Sequence, residues 1–332
     1  MTTPSVQWSQ ALGLSVPIVC APMGGVAGGA LATAVSAAGA LGMIGMGSSG
    51  ASDRLEQQLA HVPDGHRVGI GMVDWVMRRD PRMLEIAIAA RPVLLSVSFG
   101  DATSLSTFDW VPAARDAGVV TAVQAADVME ARHAADAGID VVVARGREGG
   151  GHGRPVNDRD RLLDEILAAV DVPVLAAGAV SSADDVRAVL ARGAVAAWIG
   201  TAFAACDEAL SSPGTRAALI AGRSDRTVLT SAFDAAAGHD WPADVPERVL
   251  ANRFTDRWRT RDDVTASAGA AADFLDAAAD RDDPEAICVN AGLGVDRLTR
   301  VRSAAEVVAD LDPGLRSPAE ETQTTAPTGP PE

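Results

Sequence analysis

Eight short apolar runs, separated by helix-like segments, constrain this chain more than any other feature. They lie near 18–22, 41–46, 68–73, 93–99, 119–124, 141–145, 172–178 and 194–201. Each has the length of a buried strand and is too short for a core helix. Between them, 29–38, 53–61, 81–90, 110–117, 126–137, 159–170 and 182–192 carry amphipathic or alanine-rich helical patterns. Gly39, Gly118, Gly138 and Gly193 end several of these segments, as glycine does at helix C-termini. Apolar strands alternating with helices imply parallel βαβ units. Eight such strands predict an α/β fold closed as a (β/α)₈ TIM barrel. A doubly wound open sheet carries the same pattern, because closure leaves no mark in a sequence.

The rhythm stops after Thr201. Residues 204–286, rich in arginine, aspartate and alanine, read as a helical cap inserted on the substrate side. The barrel then takes 1–203 and 287–312, with its last helix at about 300–311. Proline, threonine and glutamate dominate 313–332, the composition of a disordered tail.

Charge and composition remove several function classes. A net charge of −16 disfavours nucleic-acid backbones and anionic membranes as partners. All 28 basic residues are arginine, and tyrosine is absent. Schiff-base lysines, P-loop lysines and tyrosine acids are therefore excluded. Cys20, Cys206 and Cys288 are widely spaced, with neither metal-ligand nor disulfide spacing. No apolar run reaches membrane-span length, and no charged region followed by an apolar core opens the chain. The expectation is a cytoplasmic protein without a metal, monomer or homodimer, acting on a small molecule.

The chemistry concentrates after the sixth run. There Val141-Val142-Val143-Ala144-Arg145 leads into Gly146-Arg147-Glu148-Gly149-Gly150-Gly151-His152. Glycines permit tight turns and close approach to a ligand, and histidine trades protons near neutral pH. Glu148 reads as a loop carboxylate bonding amides. Ala21-Pro22-Met23-Gly24 follows the first run as a loop that faces a flat cofactor or simply turns. Gly178-Ala179 and Gly200-Thr201 end the seventh and eighth runs, where barrels often bind phosphate through amides. Ser181 and Ser182 read as N-caps of the following helix. Met72, Trp75 and Phe99, near the ends of the third and fourth runs, line an apolar pocket or fill the barrel mouth.

Taken in order, Ala21-Pro22-Met23, Ser96-Val97-Ser98-Phe99-Gly100, the glycine loop with His152, Ala176-Ala177-Gly178 and Gly200-Thr201 resemble the nitronate monooxygenases, formerly 2-nitropropane dioxygenases. The resemblance runs over about 15–311, through Asn252-Arg253-Phe254 and Ala291-Gly292-Leu293-Gly294. It implies a barrel binding FMN, with O₂ as co-substrate. Ala21, Pro22, Met23 and Gly24 would face the flavin ring, and Gly150 and Gly151 would approach it. Gly178, Ala179, Gly200 and Thr201 would hold the phosphate; Met72, Gln124 and Arg145 would complete the cofactor set. Ser98, Phe99 and Trp75 would border substrate, and His152 would be catalytic. The implied reaction oxidises nitronates or nitroalkanes to a carbonyl compound and nitrite. Relatives implied by the same pattern use NAD(P)H to reduce quinones or enoyl thioesters. A non-catalytic flavin- or phospholigand-binding barrel is the third reading. Departures motivate it: Arg145 and Leu293 replace usual glutamines, and Ala179 replaces a glycine; Gly149 in place of an alanine is a mild change. In an active enzyme, Arg145 would stabilise anionic reduced flavin or alter substrate choice. Alanine at 179 requires a negative φ there.

Overall fold

The computed structural model describes residues 3–101 and 104–314; most of the expected tail, 315–332, lies outside the described residues. Eleven strands occur: β1 (Ile18–Cys20), β2 (Met43–Met46), β3 (Gly69–Val73), β4 (Leu94–Ser98), β5 (Val120–Ala125), β6 (Val141–Arg145), β7 (Gly151–His152), β8 (Val174–Ala177), β9 (Ala196–Ile199), β10 (Thr227–Thr230) and β11 (Glu247–Leu250). Eight form one sheet in the order β1-β9-β8-β6-β5-β4-β3-β2, with every pairing parallel. A parallel bridge between Val19 and Leu41 joins the two ends and closes the barrel. These eight coincide with the eight apolar runs.

Helices return the chain on the outside, starting and stopping as their sequences direct. Asp127, Asp158, Ser182 and Ser303 each accept an amide of the first helical turn. Gly193 ends Ala183–Arg192 at φ 115, and Gly39, Gly118 and Gly138 follow other helices with φ between 74 and 94. Among the described residues no helix is long and apolar enough to cross a membrane.

Strand alternation sorts the core into two layers. Val141 and Val143 of β6 pack inside the barrel with Leu94, Ala122, Leu175 and Trp198. Val142 and Ala144 face the surrounding helices with Ile70, Leu95 and Ala176. The period of two therefore sends Gln124 and Arg145, the inward residues near the C-terminal ends of β5 and β6, into the barrel mouth.

The inserted stretch differs from the helical expectation. It holds helices Pro213–Ala221, Ala232–Ala237, Arg253–Arg257, Arg261–Ala266 and Ala270–Asp280, but also β10 and β11. These strands form a three-stranded antiparallel sheet, β10-β11-β7, in which Glu247 lies opposite His152. Four-residue strands broken by arginine and threonine are too short to show periodicity.

The first loop is seated by missing side chains. A Cβ at Gly71 would stand 2.2 Å from Cγ of Pro22. Pro22 thus rests on β3 only because glycine is there. Gly71→Ala is expected to cost about 1–3 kcal/mol through overpacking. Gly118→Ala, with open space around φ +74, should cost only about 1–2 kcal/mol of left-handed strain. Denaturant midpoints check both, and a ligand-affinity loss confined to Gly71→Ala is the further expectation.

Candidate active site

The C-terminal ends of the barrel strands surround a cavity of ≈ 250 Å³. Its lining includes Ala21, Pro22, Met23, Gly24, Met72, Ser98, Phe99, Gln124, Arg145, Gly150, Gly151, His152, Gly178, Ala179, Gly200 and Thr201. One expected pocket residue, Trp75, is not among them. It stands behind Trp241, ring centroids 5.8 Å apart and edge to face, with Arg79 over its ring. Trp241, from the inserted stretch, takes the lining position instead.

Arg145 forms the floor. Its side chain is 7 % exposed, and one terminal nitrogen, Nη2, donates to the carbonyls of Gly149, Gly150 and Gly151 at 3.3, 3.0 and 3.0 Å. The guanidinium thus bonds to the loop that follows its own strand. Burial, helped by neighbouring Arg248 and opposed by Glu148, pulls it down to about 10. It remains a cation at neutral pH. Glu148 behaves as a loop carboxylate, accepting the Arg159 amide at 3.0 Å. The space a side chain would need at Gly150 is filled by the backbone of Ala291–Gly292, 2.6 Å from the hypothetical Cβ. The backbone amide of Leu293 donates to the Glu148 carbonyl, a bond that glutamine would make equally, so it does not explain that substitution.

His152, next in the chain to Gly151, lines the same cavity. Its ring lies flat on Trp241, centroids 3.6 Å apart at 6°. Its Nε2 is 2.8 Å from Oδ2 of Asp234, a buried residue on Ala232–Ala237. Glu247, also buried, sits beside them. Burial first, then the Asp234 charge, pushes its carboxyl up to about 8. His152, Asp234 and Glu247 place one donor atom each within 4.8 Å of one another. Within the trio the one hydrogen bond runs between His152 and Asp234; Glu247 accepts from Cys288 at 3.5 Å through Oε2, and its buried Oε1 has no partner among the described residues.

The loops after β8 and β9 complete the ring. Thr201 Oγ1 accepts the Gly292 amide at 3.0 Å, leaving its own proton free to donate. Arg159 Nη1 donates to the Gly178 carbonyl at 3.2 Å, while its Nε pairs with Asp160 at 2.7 Å. Ser182 caps the next helix as expected, while the amide and hydroxyl of Ser181 are both taken by Asp185. Ala179 corrects the sequence reading: its φ is +50, left-handed despite the Cβ. Phe99 is likewise at φ +69, its ring edge-on to Trp241 at 5.1 Å. Both follow strand ends at the cavity, where such strain is characteristic of ligand sites.

Trp241, Asp234, Glu247 and Asn290 escaped sequence reasoning. A lone Trp in a Gly-His-Asp-Trp-Pro turn was the one local signal available. Glu247 makes a direct prediction. An acid protonated in the fold and ionised in the unfolded chain adds stability in full below about 4.5, lost as pH climbs to about 8. Thermal melts across this window should show Glu247→Gln gaining on wild type as pH rises. Parallel curves would remove the assignment.

Comparisons with known proteins agree on a family. The nitronate monooxygenase profile matches residues 7–65 and 72–314. A nitronate monooxygenase from Paraburkholderia phytofirmans is 35% identical over 185 residues, 53% of this chain and 47% of that protein. One from Pseudomonas aeruginosa is 36% identical over 160 residues, 46% and 44% of the two chains. An indene-carboxyl-CoA dehydrogenase from Rhodococcus jostii is 31% identical over 157 residues, 47% and 40%. These matches span about half the length of the curated relatives. Among solved structures, FabK from Thermotoga maritima superposes with a TM-score of 0.77 at 23% identity, covering 98% of this chain and 97% of that one. A nitroalkane oxidase from Streptomyces ansochromogenes gives 0.74 at 27% identity, covering 96% and 100%. A barrel with this ring of loops, matched over nearly its whole length by one profile, belongs to the nitronate monooxygenase family.

Proposed function

We propose that the chain is an FMN-dependent oxidoreductase that oxidises alkyl nitronates with O₂ to a carbonyl compound and nitrite. One observation carries this reading: one cavity is lined both by the backbone loops after β1, β8 and β9 and by His152. Similarity to the nitroalkane oxidase of Streptomyces ansochromogenes supports the substrate class.

The residues present fit the cofactor. Pro22 and Met23, seated on the glycines of the barrel, offer a flat wall for the ring. Gly178–Ala179, Gly200–Thr201 and the nearby Arg159 offer amides, a hydroxyl and a cation for the phosphate, in a chain without lysine. FMN held there would supply the redox chemistry between substrate and O₂; the balance is two nitronates and one O₂ to two carbonyl compounds and two nitrite ions, each C–N bond breaking as a C=O bond takes one oxygen atom.

The chain's own groups do the rest. Arg145 keeps a fixed positive charge beneath the cavity, where low dielectric strengthens its pull on an anion. Met72, Phe99 and Trp241 give the alkyl part an apolar wall and exclude water. His152 hydrogen-bonds the nitronate oxygens when its ring carries both protons, and in the neutral ring takes the α-proton of a nitroalkane.

A second reading, NAD(P)H-dependent reduction of a quinone or enoyl thioester, draws on similarity to the carboxyl-CoA dehydrogenase of Rhodococcus jostii. Protein that binds FMN but turns over neither nitronate nor NAD(P)H would instead be a binding barrel. The primary test uses oxygen uptake with an alkyl nitronate. His152→Ala should retain FMN and lose turnover by far more than tenfold. Activity within about tenfold, or about 1.4 kcal/mol of barrier, removes His152 from the mechanism.

A further inference from the structure

Asp234 lies 82 residues from His152 in sequence, yet its Oδ2 is 2.8 Å from the ring Nε2. The stack on Trp241 fixes the plane of the ring but not which edge points where. Rotating the ring by half a turn within that plane would exchange nitrogen and carbon positions at little steric cost. The carboxylate removes this freedom. It accepts hydrogen bonds and donates none, so the ring nitrogen beside it must carry the proton. Nε2 is thereby occupied, and Nδ1 becomes the nitrogen with a free lone pair in the neutral ring.

We propose that Asp234 is a positioning residue for His152: it fixes the ring orientation and the Nε2–H tautomer, so that Nδ1 is the atom offered to a ligand in the cavity. The proposal deepens, and rests on, the reading of His152 as the substrate-facing group.

The surroundings leave Asp234 as the charge that decides. From the loop after its own helix, His239 places Nδ1 3.5 Å from Oδ1, steadying the carboxylate from its other side. From β11, Glu247 faces the pair across the strand register, with its proton retained by burial. Cys288 donates to Glu247, at 3.5 Å, rather than to the pair. From β6, Arg145 addresses the Gly151 carbonyl, next to His152 in the chain. The paired Asp234 carboxylate is 4 % exposed, which shields the bond from water.

The test follows the ring nitrogens of His152 by long-range ¹H–¹⁵N spectra of the FMN-loaded protein, with the signal assigned by its loss in His152→Gln. Wild type should show the Nε2–H tautomer. Asp234→Asn, whose amide donates as well as accepts, should yield a tautomer mixture. It should also lower kcat for a neutral nitroalkane, whose α-proton the Nδ1 lone pair would take, by about 10²-fold or more, with KM and FMN content little changed. His239→Gln should leave the tautomer as in wild type. An Nδ1–H tautomer in wild type overturns the proposal, as does Asp234→Asn with an unchanged tautomer and kcat within about twofold. If Asp234→Asn does not fold, the wild-type tautomer decides alone. If the tautomer moves while His152→Ala keeps its turnover, the positioning stands and the assigned role of His152 falls.

Discussion

One guanidinium shapes the site. Strand alternation turns Arg145 inward with Val141 and Val143, and there it meets no carboxylate: among the described residues it forms no ion pair. It bonds instead to three successive glycine carbonyls of the loop that follows it. Such a buried cation is stable only while those carbonyls surround it, so charge and loop hold each other in place. The loop then delivers Gly151–His152 to β11, and β11 brings the helix of Asp234 and the turn of Trp241 over the barrel mouth. Insertion and barrel are thus joined at the residue that would do the chemistry.

The electrostatics of the site run against those of the whole chain. A protein of net charge −16 carries, at the base of its cavity, a buried cation without an ion-pair contact among the described residues, and a second arginine at the Gly178 turn. Net charge governs solubility and distant encounters, whereas a desolvated group a few ångströms from a ligand governs binding. The absence of lysine leaves these positions to arginine and backbone amides. Beside the same loop, the His152–Asp234 pair supplies a hydrogen bond, and burial holds the proton on Glu247 so that it adds no further charge.

Much of this was legible in the amino-acid order, and the rest was hidden for identifiable reasons. The barrel strands are apolar runs closed by glycine turns, so periodicity revealed them. The lining residues from Ala21 to Thr201 follow strand ends, which a parallel barrel gathers on one face. Trp241, Asp234 and Glu247 reach the site only through the pairing of β7 with β11, a long-range contact without local periodicity. Ala179 misled because its side chain argues for negative φ, whereas the turn after β8 imposes +50. Trp75 misled by proximity in sequence to β3: the apolar wall is supplied by the tryptophan in front of it.

The measurement that bears most directly on the account is anaerobic mixing of the FMN-loaded protein with an alkyl nitronate in one sample and with NADH or NADPH in another, following the visible flavin band. The account predicts that the nitronate alone bleaches the flavin, with no nicotinamide present. Bleaching by NADH or NADPH while the nitronate leaves the band untouched would contradict it.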